Sequence, residues 1–212
     1  MEKNDVARFR TAADRGEAEI VEKKSRFIAC VFPVESEEEA QSMIESIRKK
    51  HHSARHNCYA YQIGTKNEIQ KASDDGEPSG TAGKPILEVL TGENVKNTLI
   101  VVTRYFGGIL LGTGGLVRAY TQAAQAALAD AEVGEKVFSQ KLTLTFGYNM
   151  INNVQYYLGQ NNIAIADSRY EADVSFDICV KESDLETIKN GLTQKCEGQI
   201  TITEGDKGYY IL

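Results

Sequence analysis

Residues 98–131 read TLIVVTRYFGGILLGTGGLVRAYTQAAQAALADA, which is a strand, a glycine-rich loop and a helix in succession. Thr98 to Thr103 is an unbroken apolar and β-branched run, the pattern of a strand buried on both faces. From about Leu116 to Ala131 the alanine-rich sequence favours a helix, and Leu116, Tyr120, Ala123, Ala127 and Leu128 give it a buried face. Between the two, Gly107, Gly108, Gly112, Gly114 and Gly115 permit positive φ and close backbone approach. The start of the helix presents unpaired N–H groups and a positive dipole end, to which a phosphate group is suited. A tight strand-to-helix crossing accounts for the same glycines without any ligand. Neither standard nucleotide fingerprint is complete. A GxGxxG starting at Gly112 has Val117 in the place of its last glycine, and Gly83-Lys84 is followed by Pro85 where a P-loop needs Ser or Thr.

Upstream, Glu17 to Lys24 and Ser25 to Val34 read as adjoining strands, the second apolar on both faces. Ser36, with Glu39 in the capping-box position, opens a helix whose Ala40, Met43, Ile44 and Ile47 form one stripe that should cover the sheet. A third strand spans Asn57 to Gly64, and a polar segment then leads into the loop DDGEPSGTAGKP and a short helix from Pro85 to Leu90. Beyond Gly134 the pattern becomes strand Phe138–Gly147, helix Met150–Gln160 and strands Ile163–Arg169 and Asp173–Lys181. A helix with a second capping box, Ser183 and Glu186, and a final strand Gln199–Thr203 complete it. The expected fold class is α+β, an α/β sandwich over residues 1–134 followed by a ferredoxin-like βαββαβ domain over residues 135–212.

At 212 residues, with 42% hydrophobic and 25% charged side chains, two small domains with ordinary cores are expected. The net charge of −6 excludes a protein that coats nucleic acid along its whole surface, so any RNA contact must be local. The opening MEKNDVARFR has no hydrophobic run, and the longest apolar stretch, Leu99 to Val102, is far too short for a bilayer, so neither export nor membrane insertion is expected. Cys30, Cys58, Cys179 and Cys196 lie far apart without a CxxC pair, which fits a reducing cytoplasm.

Two further segments carry candidate chemistry. In the loop, Asp74, Asp75 and Glu77 can hold Mg²⁺ while Ser79, Gly80, Thr81, Gly83 and Lys84 meet phosphate oxygens; a solvated turn uses the same residue types. In Arg48–Cys58 all three histidines stand among cations, and Arg55 with Tyr59, Tyr61, Tyr105 and Phe106 can supply phosphate contacts and base stacking. Cations that merely complement the C-terminal dipole of the first helix explain the patch equally well. His56 and Cys58 share one side of their strand, which also admits a metal or a Cys–His nucleophile.

Three motifs in order, Arg55-His56-Asn57-Cys58, Asp74 through Pro85, and Arg104-Tyr105-Phe106-Gly107-Gly108 with Leu111 through Tyr120, resemble the IMPACT/YigZ family nearly end to end over the N-terminal domain. The resemblance implies an N-terminal domain similar to the second domain of a small-subunit ribosomal protein. It implies a C-terminal domain similar to a module of elongation factor G. Eukaryotic members restrain activation of a stress kinase by binding its ribosome-associated activator. The function expected here is therefore cytoplasmic regulation of translation in a stress response, without catalysis. The partner would be the ribosome, RNA, nucleotide or a translation-associated protein. The binding surface would comprise Arg55, His56, Ser79, Gly80, Thr81, Gly83, Lys84, Arg104, Tyr105, Phe106, Gly107, Gly108, Gly112, Gly114, Gly115 and Arg118. The alternative is a metal-dependent hydrolase or phosphate-handling enzyme using Asp74, Asp75, Glu77 and His56, with Mg²⁺ as its only candidate cofactor.

Overall fold

The computed structural model describes residues 8–211, so residues 1–7 of the opening stretch read for an export signal lie outside the described residues. In chain order the elements are β1 (Arg8–Ala12), β2 (Gly16–Glu22), β3 (Ser25–Pro33), α1 (Glu37–Lys50), β4 (His56–Ile63) and β5 (Ile69–Ser73). Then come α2 (Gly83–Gly92), β6 (Val95–Lys96), β7 (Thr98–Tyr105), α3 (Thr113–Asp130) and β8 (Val133–Phe146). The last are α4 (Ile151–Gln160), β9 (Ile165–Tyr170), β10 (Val174–Lys181), α5 (Leu185–Lys195) and β11 (Ile200–Ile211). The chain divides into two compact units between Gly134 and Glu135.

The first unit is built on a five-stranded antiparallel sheet of order β2-β3-β7-β4-β5, with β1 and β6 forming a separate parallel pair. Strand alternation splits its side chains between two cores. Phe27, Ala29, Val31, Cys58, Ala60, Ile100 and Val102 pack with α2 and α3, while Cys30, Phe32, Tyr61, Leu99 and Val101 pack with Ala40, Ile44 and Ile47 of α1. The central strands are thus covered on both sides, as their unbroken apolar runs require. The second unit is a four-stranded antiparallel sheet, β11-β8-β10-β9, with α4 and α5 packed on one face through Val154, Leu158, Ile188 and Leu192. That order and the βαββαβ succession are those of a ferredoxin-like split βαβ unit. Among the described residues, no helix is long and apolar enough to cross a membrane.

Several local readings are corrected. The polar segment after β4 contains β5, an exposed edge strand whose sequence IQKAS lacks alternation, and β1 and β6 were too short to stand out. The last strand runs to Ile211 because a register shift between Glu204 and Lys207 carries it past a stretch that breaks the two-residue pattern. At α1 the Ser36 hydroxyl accepts from the Glu39 N–H at 3.1 Å, but the Glu39 carboxylate takes the Glu35 N–H at 2.7 Å instead of closing back onto Ser36. At α5 the second capping box does not form, since the Ser183 hydroxyl donates to Asp184 Oδ1 at 2.9 Å. Ser36→Ala should therefore cost about 1 kcal/mol in chemical denaturation, whereas Ser183→Ala should stay within about 0.5 kcal/mol of wild type.

Candidate functional site

Arg104, next to last in β7, lies opposite Phe27 of β3 on one side and His56 of β4 on the other. The register carries its side chain inward. Its side chain is 7% exposed and its guanidinium pairs at 2.7 Å with Glu77, whose own side chain is 4% exposed. The same Glu77 oxygen accepts from the Tyr120 hydroxyl of α3 at 2.8 Å. Phe27 and Phe106 lie 5.5 and 5.6 Å from the guanidinium, an aromatic–cation–aromatic ladder. The Ser25 hydroxyl accepts from the Gly107 N–H at 3.1 Å and lies 3.5 Å from Arg104 Nη2. Arg104, read as a cation offered to a ligand, is thus committed within the protein. Ser25 and Tyr120 were not singled out as site residues, because a buried hydroxyl carries no local signal.

The loop from Asp74 to Ala82 is ordered by its acids. Asp74 accepts from the backbone amides of Gly80 (2.8 Å), Ala82 (2.9 Å) and Gly83 (2.8 Å), so the start of α2 is occupied by the protein's own carboxylate. Partial burial opposes ionisation of Asp74, but these three amides outweigh it and lower its pKa below the ordinary value of 3.8. Asp75, at φ +40°, accepts from the Asn57 N–H at 2.7 Å and from Arg48 at 3.0 Å, and its carbonyl meets His56 Nδ1 at 3.0 Å. Thr81 is buried and donates to the Pro78 carbonyl; Ser79 is exposed, and exposed Lys84 faces Glu88 at 3.8 Å.

The expected convergence of Asp74, Asp75, Glu77 and His56 on a metal is corrected by these contacts, since each carboxylate is engaged in a different direction. Among the described residues, no group of three or more His, Cys, Asp or Glu side chains could hold a metal ion. The Cys–His nucleophile is corrected too. Cys58 is fully buried, its thiol donates to the Asp74 carbonyl at 2.9 Å and lies 3.4 Å from the Tyr120 hydroxyl, and burial pushes its pKa up.

The glycine-rich loop leaves β7 with Gly107 pressed against the β2–β3 turn. A Cβ there would lie 2.0 Å from the Lys24 carbonyl carbon, so only glycine fits. Phe106 just before it and Ile109 and Leu110 beyond it are 56%, 43% and 83% exposed. Gly112 (φ +71°) begins α3, its carbonyl accepting from the Leu116 N–H; Gly114 and Gly115 fall in the first turn, and the exposed Arg118 guanidinium lies near Gly114. Neither helix is capped by the side chain of its own N-cap residue, Ala82 in α2 and Gly112 in α3; at α2 the Asp74 carboxylate serves instead.

The basic segment is broken up by folding. Arg48 pairs with Glu45 and Asp75, Lys50 lies 3.7 Å from Glu17, and His51 is buried with Nδ1 3.0 Å from the Tyr105 hydroxyl. Burial, assisted by neighbouring Lys50, lowers the His51 pKa and keeps it neutral at pH 7. Arg55 is exposed, and among the described residues no carboxylate pairs with it. It lines, with His56, Tyr105, Phe106 and Leu110, a cleft of about 510 Å³ that Arg104 also borders. The structure thus brings together Arg55, His56, Arg104, Tyr105 and Phe106, whereas Gly80 and Gly83 serve Asp74.

A two-unit α+β protein with this loop, ladder and ferredoxin-like partner domain has relatives. Residues 23–128 match the Impact N-terminal domain and residues 144–199 match a domain of unknown function (DUF1949). IMPACT family member YvyE of Bacillus subtilis is 41% identical over 199 residues, covering 94% of this chain and 92% of that protein. IMPACT family member YigZ of Escherichia coli is 43% identical over 154 residues, 72% of this chain and 76% of that protein. Protein IMPACT of Mus musculus is 40% identical over 98 residues, 44% of this chain and 30% of that protein. A crystal structure described as that of a hypothetical protein matches with a TM-score of 0.62 at 33% identity, over 95% of this chain and 99% of that one. The chain belongs to the IMPACT family.

Two outcomes follow from Glu77 and Asp74. Arg104→Ala leaves Glu77 buried and uncompensated and should cost about 3–5 kcal/mol of stability in chemical denaturation. Asp74, its pKa lowered by folding, stabilises the protein fully above 3.8 and loses that contribution as pH falls through the lower folded-state value. The stability gap between wild type and Asp74→Asn should accordingly be constant near neutrality and close on acidification, as measured by denaturation across acid pH.

Proposed function

We propose that the protein is a translation-associated binding module that holds single-stranded RNA at the cleft between Arg55 and Phe106. The observation that carries this reading is the convergence of an unpaired cation, an imidazole and an exposed aromatic ring from two segments distant in sequence. Proteins that bind single strands combine cations that track phosphates with aromatic faces on which bases stack. A net charge of −6 confines such contacts to a local site, and this cleft supplies one. The first-turn amides of α3 and the exposed Arg118 lie just beyond Leu110 in the chain and offer a path for a neighbouring phosphate. Family membership supports the translational setting, in which the protein would act in the cytoplasm, on or near the ribosome, as a regulator under stress. The hydrolase alternative has lost its footing, because its carboxylates are engaged in structural contacts.

Sucrose-gradient fractionation of lysate tests the reading. Wild-type protein should sediment with ribosomal particles at low salt and leave them at high salt, and an Arg55→Ala, Phe106→Ala double variant should stay at the top at both. Both substitutions are at exposed positions, so folding is preserved where Arg104→Ala would compromise it. With purified RNA, Arg55→Ala should lower the slope of log K against log salt by about 0.7, the share of one phosphate contact on a single strand. Wild-type protein at the top of the gradient under both conditions, or association indifferent to salt, overturns the proposal.

A further inference from the structure

We infer that the cleft accepts one unpaired nucleotide, its base laid on the Phe106 ring and its phosphate held by Arg55; this rests on the RNA-binding reading above and specifies what that RNA must present. The argument begins with Phe106. Its ring is 56% exposed and lies 5.6 Å from the Arg104 guanidinium, a cation–π contact. Arg104 is itself anchored by Glu77 at 2.7 Å and lies 5.5 Å from the Phe27 ring. Phe106 therefore stands against a cation anchored by the protein, and a base stacked on the exposed ring would add one further planar group to the series. A pre-set aromatic platform loses little conformational entropy on binding, which is what stacking recognition needs.

The remaining features fit a single nucleotide better than a duplex or a bare anion. A cleft of about 510 Å³ is of the size that takes small ligands. Exposed Leu110 gives it an apolar rim, suited to the face of a base and unsuited to a phosphate ion alone. His56 sharpens the distinction. The partner of its Nδ1 is the Asp75 carbonyl, which can only accept, so Nδ1 carries a proton and Nε2 is the ring position left to accept in the imidazole form. An acceptor beside Arg55 favours a ligand that carries donors as well as negative charge, and a nucleotide carries both in its amino or hydroxyl groups and its phosphate. Arg104 adds a last observation, for it is more than nine-tenths buried at the cleft border and its Nε has no protein acceptor.

The test compares two RNA hairpins of equal length whose strands are joined by a non-nucleotide linker in place of a loop, one fully paired and one with a single bulged 2-aminopurine, by equilibrium titration at low salt. The bulged hairpin should bind about tenfold or more tightly, with its fluorescence quenched by stacking. Phe106→Ala should remove both the preference and the quenching, a loss on the scale of one base–aromatic stack. Arg55→Ala should weaken binding while leaving the quenching of the saturated complex in place. Equal affinity for the two hairpins, or full quenching in Phe106→Ala, overturns the single-nucleotide inference and leaves RNA binding standing. Failure of the wild type to bind either hairpin overturns both.

Discussion

The ion pair between Glu77 and Arg104 is the contact on which the cleft of the N-terminal unit depends. Glu77 belongs to the loop between β5 and α2, Arg104 to the end of β7, and Tyr120 to α3, so one carboxylate oxygen ties three separate parts of the chain together. Removing two charges from water is costly, and their attraction offsets that cost only when geometry is good and the remaining polar atoms are satisfied. Here the bonds are short and Tyr120 provides an additional donor. The same burial pushes the Tyr120 pKa up and keeps its hydroxyl protonated as a donor. The pair fixes Arg104, Arg104 backs Phe106, and the aromatic floor of the cleft follows from it.

Much of this fold was legible in the sequence because its strongest signals are local or periodic. Apolar runs with both faces occupied identified β3 and β7 as central strands, the stripe Ala40, Ile44 and Ile47 identified α1, and the order of elements identified the ferredoxin-like unit. What escaped notice depends on distant partners. An arginine at the end of a strand looks alike whether it meets solvent or a buried glutamate, and Arg104 met Glu77 only because the loop after β5 folds back over the sheet. The acidic triplet Asp74, Asp75 and Glu77 suggested a ligand set by spacing, yet the left-handed backbone at Asp75 sends the three carboxylates to unrelated partners. His51 sat in an apparent basic patch, and only tertiary packing shows it to be a neutral group bonded to Tyr105.

The C-terminal unit teaches the complementary lesson. It has no motif of chemical specificity, and its organisation rests on alternation alone: Leu142, Leu144 and Phe146 of β8 and Phe176, Ile178 and Val180 of β10 turn toward the helices. Residues between them turn the other way and form a polar network, in which Arg169 bridges Asp167 and Asp177 while Thr143 donates to Asp177. The bridge holds the edge strand β9 to its neighbour through exposed charges, which places charge along an otherwise unpaired edge.

The Asp74 carboxylate at the start of α2 has a consequence for how the two helix starts respond to their surroundings. An anion tethered within the chain is present at an effective concentration that no dissolved ion approaches, so it competes with every free phosphate or carboxylate for the same three amides. The loop carrying Glu77 is thereby held in shape at ionic strengths that would screen the exposed Arg55 from any phosphate. One part of the surface is thus insulated from the electrolyte while the part beside it remains sensitive, and the ladder supporting Phe106 persists whether or not a partner is attached.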